Sequence, residues 1–186
     1  MTTIMKTLSL MKKKRLILNN KIYIKSYFIA AFLAALFVVI EGSIIALLFA
    51  GEVKPDLHLV LAVSLAFLWH ETKGTISAII IGLFQDILLG PALGFYSLSK
   101  MLSAVIVAQI SREMYKEQVI GPMIIVFIIT FFHESVTFFI SSAFWGNEIS
   151  YFYALERIFL LKALYHLLLT LFIYPLLYYA DQHGII

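Results

Sequence analysis

The chain alternates long apolar stretches with short polar or glycine- and proline-containing breaks, and six such stretches can be drawn. They cover residues 27–50, 55–69, 74–89, 95–111, 119–144 and 157–179. Near-continuous apolar runs of this length read as membrane-spanning helices, not as alternating strands. The second run is short: at 1.5 Å per residue it rises roughly 22 Å, less than the ~30 Å of a hydrocarbon layer. It is either tucked among the other helices or accommodated by a locally thinner bilayer. Gly90-Pro91-Ala92-Leu93-Gly94, between the third and fourth runs, is a tight turn, because glycine and proline break helices and permit reversal. A polar and aromatic connection, 145–156, precedes the last run. The pattern predicts an all-α integral membrane protein, a bundle of about six transmembrane helices over 27–180. A cytoplasmic arm, 1–26, precedes the bundle and a short tail, 181–186, follows it. No internal repeat or low-complexity segment interrupts this organisation.

Composition agrees with the pattern. Hydrophobic residues make up 62% and charged residues 13%, against about half and about a quarter in soluble domains. The formal charge of +3 is unevenly spread, since Lys6, Lys12, Lys13, Lys14, Arg15, Lys21 and Lys25 crowd the first 25 positions. With the N-terminus inside, these share the cytoplasmic side with Lys73, Arg112 and Lys116, while only Lys54 and Arg157 fall outside. That asymmetry predicts cytoplasmic N- and C-termini for a multi-pass chain. Trp145, Tyr151 and Tyr153 fall near the outer interface and Tyr174, Tyr178 and Tyr179 near the inner one, as an aromatic belt does. The arm itself reads as a solvated tail or a strip for anionic lipid, with a cytoplasmic protein contact as the alternative. Lys12-Lys13-Lys14-Arg15 has no aromatic interleaving, which argues against nucleic acid. The absence of cysteine excludes disulfides, thiolate metal sites and cysteine nucleophiles. The first apolar run is about 24 residues, too long for the core of a cleaved signal peptide.

Ionisable groups at membrane depth are costly and are functional suspects by default. Here they are Glu41, Asp86, Lys100, Glu134 and Lys162, with His133 and His166 beside them. Counting down from the outer ends puts Asp86, Lys100 and Lys162 roughly 6–9 Å beneath the surface, and an Asp86–Lys100 pair across the turn is expected. Glu41, Glu134 and His166 lie deeper and are expected to share hydrogen bonds inside the bundle. Three readings of this set stand open: mutual neutralisation that fixes helix packing, an ion or proton path, and a ligand pocket open to the outside. A path needs carboxylates at successive depths, and the inner half offers no such ladder.

His133-Glu134 begins a zincin-like pattern, but position 137 is Thr where the second histidine belongs. No serine–histidine–aspartate set can be assigned and no glycine-rich phosphate loop occurs, so neither catalytic residues nor a metal or other cofactor is expected. Ala30 and Ala34, and Ala31 and Ala35, form small-residue pairs four apart in the inner half of the first run. Such spacing lets another helix approach closely, either inside the bundle or from another protein.

Several segments together resemble a known family. Pro55-Asp56-Leu57 opens the second run, and Gly82-Leu83-Phe84-Gln85-Asp86-Ile87-Leu88-Leu89-Gly90-Pro91-Ala92-Leu93-Gly94 closes the third, followed by Ser97-Leu98. His133-Glu134 lies in the middle of the fifth run, and Tyr174-Pro175-Leu176 lies towards the end of the sixth. In order and spacing these resemble the bacterial rod shape-determining protein MreD family, with Gln85-Asp86 followed by Pro91-x-x-Gly94 the most specific element. The resemblance implies a non-enzymatic membrane scaffold of the cell-elongation, peptidoglycan-synthesising machinery, required for rod shape. It implies association with an MreC-like bitopic protein, and through it with the MreB filament, the RodA glycosyltransferase and a penicillin-binding transpeptidase. It further implies that Gln85 and Asp86 hold the turn that Gly90, Pro91 and Gly94 shape. The long basic arm is not something the family pattern requires. The family also looks like the substrate-binding membrane subunits of energy-coupling-factor vitamin transporters, which dock through Ala-x-x-x-Ala faces on the first helix. The Ala30 and Ala34 pair fits that alternative.

Overall fold

The computed structural model describes residues 23–45, 53–69, 71–146 and 149–186. The basic arm therefore lies outside the described residues except for its last four positions, which already belong to the first helix. The final residues expected in the first span, 46–50, lie outside them too.

Six helices and no strand occur among the described residues. Helix α1 (Tyr23–Ser43) ends in a wider π-turn over Glu41–Ile45. Then come α2 (Leu57–Trp69), α3 (Glu71–Leu89), α4 (Phe95–Ile110), α5 (Ile120–Trp145) and α6 (Tyr151–Gln182). Helices α1, α5, α6 and the Thr72–Leu89 part of α3 are each long and apolar enough to cross a membrane. Helices α2 and α4, with 13 and 16 residues, are the short ones.

The expected start of the last helix is corrected: α6 begins at Tyr151, inside the stretch read as a connection. Ser150 supplies the reason, since its hydroxyl accepts from the Tyr153 amide at 3.3 Å and caps the helix. The Tyr151 ring also stacks on Phe139 at 5.3 Å, holding the new turn against α5.

Helix α2 is the axis of the bundle. Every residue from Leu57 to Leu68 is buried, and the helix is apolar all round. A helix without a polar face must be enclosed on all sides, so the short second run is tucked among the others. Helices α3, α4, α5 and α6 pack around it. Helix α1 docks through Ala30 and Ala34, both fully buried, whereas Ala31 and Ala35 are half-buried. The second small pair thus does less of the docking than the first. The α3–α4 hairpin is closer still: a Cβ on Gly82 would stand 2.3 Å from the Ser97 Cα. Large apolar side chains such as Phe28, Phe32, Ile128, Phe172 and Leu176 point outward, as expected of a surface solvated by lipid.

The end where α1 finishes and α2 starts is called the upper end below. At the opposite, lower end the ties are mostly to backbone carbonyls. The Lys116 ammonium donates to the Leu68 carbonyl at the C-terminus of α2, and Tyr174 donates to the Lys116 carbonyl at 2.6 Å. Trp69 donates to Asp181 at 2.9 Å, and Lys25 reaches the Gly184 carbonyl at 2.7 Å. Partial burial pushes the Lys116 ammonium below the ordinary lysine range, with nearby Asp181 acting in the opposite sense.

Candidate functional site: a buried polar cluster at the upper end

Asp56 is the hub of the upper end. It directly precedes α2, and its Oδ1 accepts the Leu59 amide at 2.8 Å, the bond that an N-cap acid makes. Its Oδ2 receives the fully buried Lys100 ammonium of α4 at 2.7 Å. Its own amide donates to His166 Nε2 of α6 at 2.8 Å. That last bond fixes a tautomer. A nitrogen that accepts from a backbone N–H carries no proton, so the His166 proton sits on Nδ1. There it faces the Thr130 hydroxyl at 2.9 Å, and that hydroxyl donates to the Val126 carbonyl at 2.7 Å. Imidazole and hydroxyl therefore form a structural relay between α5 and α6, not a base beside a nucleophile.

His58 does the same for α1. Its Nε2 lies 3.1 Å from the Ala34 carbonyl, which only accepts, so that nitrogen bears a proton. Its Nδ1 lies 2.7 Å from Glu41 Oε2. One proton occupies this second contact, as imidazolium with carboxylate or as imidazole with carboxylic acid, and the pair is neutral overall in either form. The π-turn at the end of α1 begins at Glu41, where the wider turn brings the carboxyl onto α2.

Glu134 and Lys162 close the α5–α6 side, Lys162 donating at 2.8 Å. His133, next in sequence, lies with Nδ1 3.8 Å from the other Glu134 oxygen, too far for a hydrogen bond. Both of its ring nitrogens are buried without a partner, as is the Gln85 amide oxygen. Beside these groups opens a cavity of about 370 Å³, lined by Glu41, Lys54, Gln85, Tyr96, Glu134 and Lys162 among others. The second π-turn, Leu155–Phe159, also borders it through Ile158 and Phe159.

Two expectations are overturned here. Asp86 does not pair with Lys100. Its carboxylate accepts the amides of Gly94 at 3.0 Å, Tyr96 at 2.7 Å and Ser97 at 3.1 Å. These are N–H groups at the start of α4, where the helix dipole also favours an anion. Gly94 itself offers no side-chain cap and adopts φ 97°, a left-handed conformation that glycine tolerates best. Asp86 thus caps α4 from the preceding helix, and Lys100, one turn further on, is free to meet Asp56. Depth counted along single helices does not decide the neighbour, since Lys162 bonds Glu134 and Asp56 bonds both Lys100 and His166. The expected sharing among Glu41, Glu134 and His166 is also absent among the described bonds, each going instead to His58, Lys162 and Asp56 with Thr130.

Sequence reading singled out neither His58 nor the charge of Asp56 as part of the cluster. The signals were present: an acid immediately before an apolar run is an N-cap pattern, and a histidine inside such a run needs a partner.

The cluster can hold a cation only at a cost. Glu41, Asp56 and His58 bring three donor atoms within 4.8 Å of one another. Yet Lys100 already occupies Asp56, and both His58 nitrogens face oxygen partners. A metal ion there has to displace these bonds beside a buried ammonium. The chemistry the arrangement performs unaided is charge neutralisation between helices.

A family model described as rod shape-determining protein MreD matches residues 21–180. No curated protein and no solved structure matches the chain. Membership of this family gives a role in rod-shape determination and association with the shape-determining machinery. The matched span includes all but the last two residues of the helical bundle, with the Asp86-capped turn and the polar cluster, and the chain belongs to the MreD family.

Proposed function

We propose that the protein is a non-enzymatic scaffold of the bacterial cell-elongation machinery, seated in the cytoplasmic membrane with both termini inside. In this reading it holds an MreC-like bitopic partner. Through that partner it is linked to the MreB filament, the RodA glycosyltransferase and a penicillin-binding transpeptidase. One observation carries the reading beyond family membership. The buried charges Asp56, Lys100 and Glu134 and the half-buried Lys162 are each bonded to another helix of the same chain, and Asp86 to the backbone of α4. A cluster whose charges are paired helix to helix in this way favours a rigid platform over a reaction centre. The orientation is supported by Lys73, Arg112 and Lys116, which lie at the lower end with the start of α1, while Lys54 and Arg157 lie at the upper end.

The experiment is depletion in a rod-shaped host, with affinity purification in mild detergent run in parallel. Rods that widen and round up, together with recovery of a bitopic elongation protein, are expected. Unchanged rods with a growth defect cured by an added vitamin would replace this reading with the transporter-subunit one.

A further inference from the structure

The pairing scheme leaves two features of the upper end unused. The first is Gln85, 4% exposed, which lines the cavity and buries an amide oxygen without a partner. An orphaned buried acceptor is costly, and a ligand N–H that reaches it offsets that cost. Around it the cavity offers both signs of charge, Lys54 and Lys162 against Glu41 and Glu134. The second is Phe95, which lines this polar cavity and also a separate apolar groove of about 380 Å³. That groove runs along Leu93, Leu98, Ile140, Phe144 and Trp145, and its Phe144 and Trp145 are 76% and 54% exposed. Phe95 packs edge-on against Trp145 at 5.9 Å, so one aromatic wall divides a polar chamber from an apolar trough.

We infer that the two compartments bind one membrane phospholipid whose headgroup carries a phosphate and a primary ammonium. The phosphate lies between Lys54 and Lys162. The ammonium donates to Gln85 Oε1 and faces the Glu134 carboxylate. An acyl chain follows the groove past Phe95. A choline headgroup fails this chemistry, because its methylated nitrogen has no N–H to give. A glycerol headgroup has hydroxyl donors but no positive charge for the carboxylates. The inference requires only that the chain sits in a membrane and is independent of the scaffold role.

The test is native mass spectrometry of the full chain in mild detergent. It is titrated in turn with phosphatidylethanolamine, phosphatidylcholine and phosphatidylglycerol of identical acyl chains. Phosphatidylethanolamine is expected to bind about tenfold or more tightly than phosphatidylcholine, the scale set by one buried hydrogen bond to a charged donor. Gln85→Leu should bring phosphatidylethanolamine down to the phosphatidylcholine level. Trp145→Ala should weaken all three lipids alike. Equal binding of the ethanolamine and choline lipids, a preference for the glycerol lipid, or an unchanged preference in Gln85→Leu overturns the inference. The comparison of lipids on the unaltered protein needs no variant, so a folding defect in Gln85→Leu cannot shelter it.

Discussion

The two ends of α2 solve the same problem by different means. Each must satisfy helix-terminal backbone groups inside an apolar bundle. At the upper end an acid does it, Asp56 capping the first turn while it carries a full charge that Lys100 neutralises. At the lower end a base does it, Lys116 reaching the Leu68 carbonyl from a partly exposed loop. Both choices follow the helix dipole, with negative charge at the N-terminus and positive at the C-terminus. The difference is burial. Lys100 is completely enclosed, so its charge is tolerable only with its partner in place. Lys116 keeps contact with solvent, and its bond is one of several modest ties. The upper end is therefore specified by charge and is brittle, while the lower end is specified by many neutral or exposed hydrogen bonds and is forgiving.

The sharpest way to break this comparison is Lys100→Met. It leaves Asp56 buried and uncompensated, and loss of one partner of a buried pair costs about 3–5 kcal/mol. The melting temperature in detergent should fall steeply. Asp56→Asn keeps an oxygen for the Leu59 cap but removes the charge, so the double variant Asp56→Asn/Lys100→Met should recover much of the loss. Additive effects would show that the pair is not coupled. Lys116→Met, its lower-end counterpart, should cost well under half as much as Lys100→Met.

Gly82→Ala sharpens the comparison by geometry in place of charge. The added Cβ meets the Ser97 backbone at 2.3 Å, and no flexible side chain can yield there. Helix α4 has to move away from α3, taking with it the Tyr96 and Ser97 amides that hold Asp86. Overpacking of this kind costs about 1–3 kcal/mol, measured again as thermal stability. Near-wild-type stability would mean that the hairpin is looser than its contacts indicate.

The six helices were legible because apolar run length dictates them, and the Gly94 turn because glycine and proline punctuate it. The layer of buried charge was legible for a similar reason: a charged residue within an apolar run is conspicuous wherever it falls. Partner choice was not. Asp86 and Lys100 are close in sequence and opposite in sign, yet Asp86 is satisfied by three backbone amides that no side-chain pattern reveals. Asp56 lies 44 positions from Lys100, and only the central placement of α2 brings them together. That placement was left open by the sequence, since a short apolar run fits a thinned bilayer as well as an enclosed axis. Helix α6 starts early because Ser150 caps it and Tyr151 stacks on α5, local events inside a stretch too polar to read as a span.

The smallest expected effect comes from Tyr174→Phe at the lower end. The tyrosine is 1% exposed, and its ring meets Phe67 edge-on at 5.7 Å, a contact that phenylalanine preserves. Only the hydroxyl bond to the Lys116 carbonyl is lost, and a single neutral hydrogen bond contributes about 0.5–1.5 kcal/mol. The carbonyl it abandons is that of Lys116, a half-buried residue of the connection between α4 and α5. A melting temperature lowered only slightly, with the Asp56–Lys100 coupling unchanged in the Tyr174→Phe background, is the expected result. A loss as large as that of Lys100→Met would place a brittle polar tie at the lower end as well. The contrast between a charge-specified end and a forgiving one would then have to be abandoned.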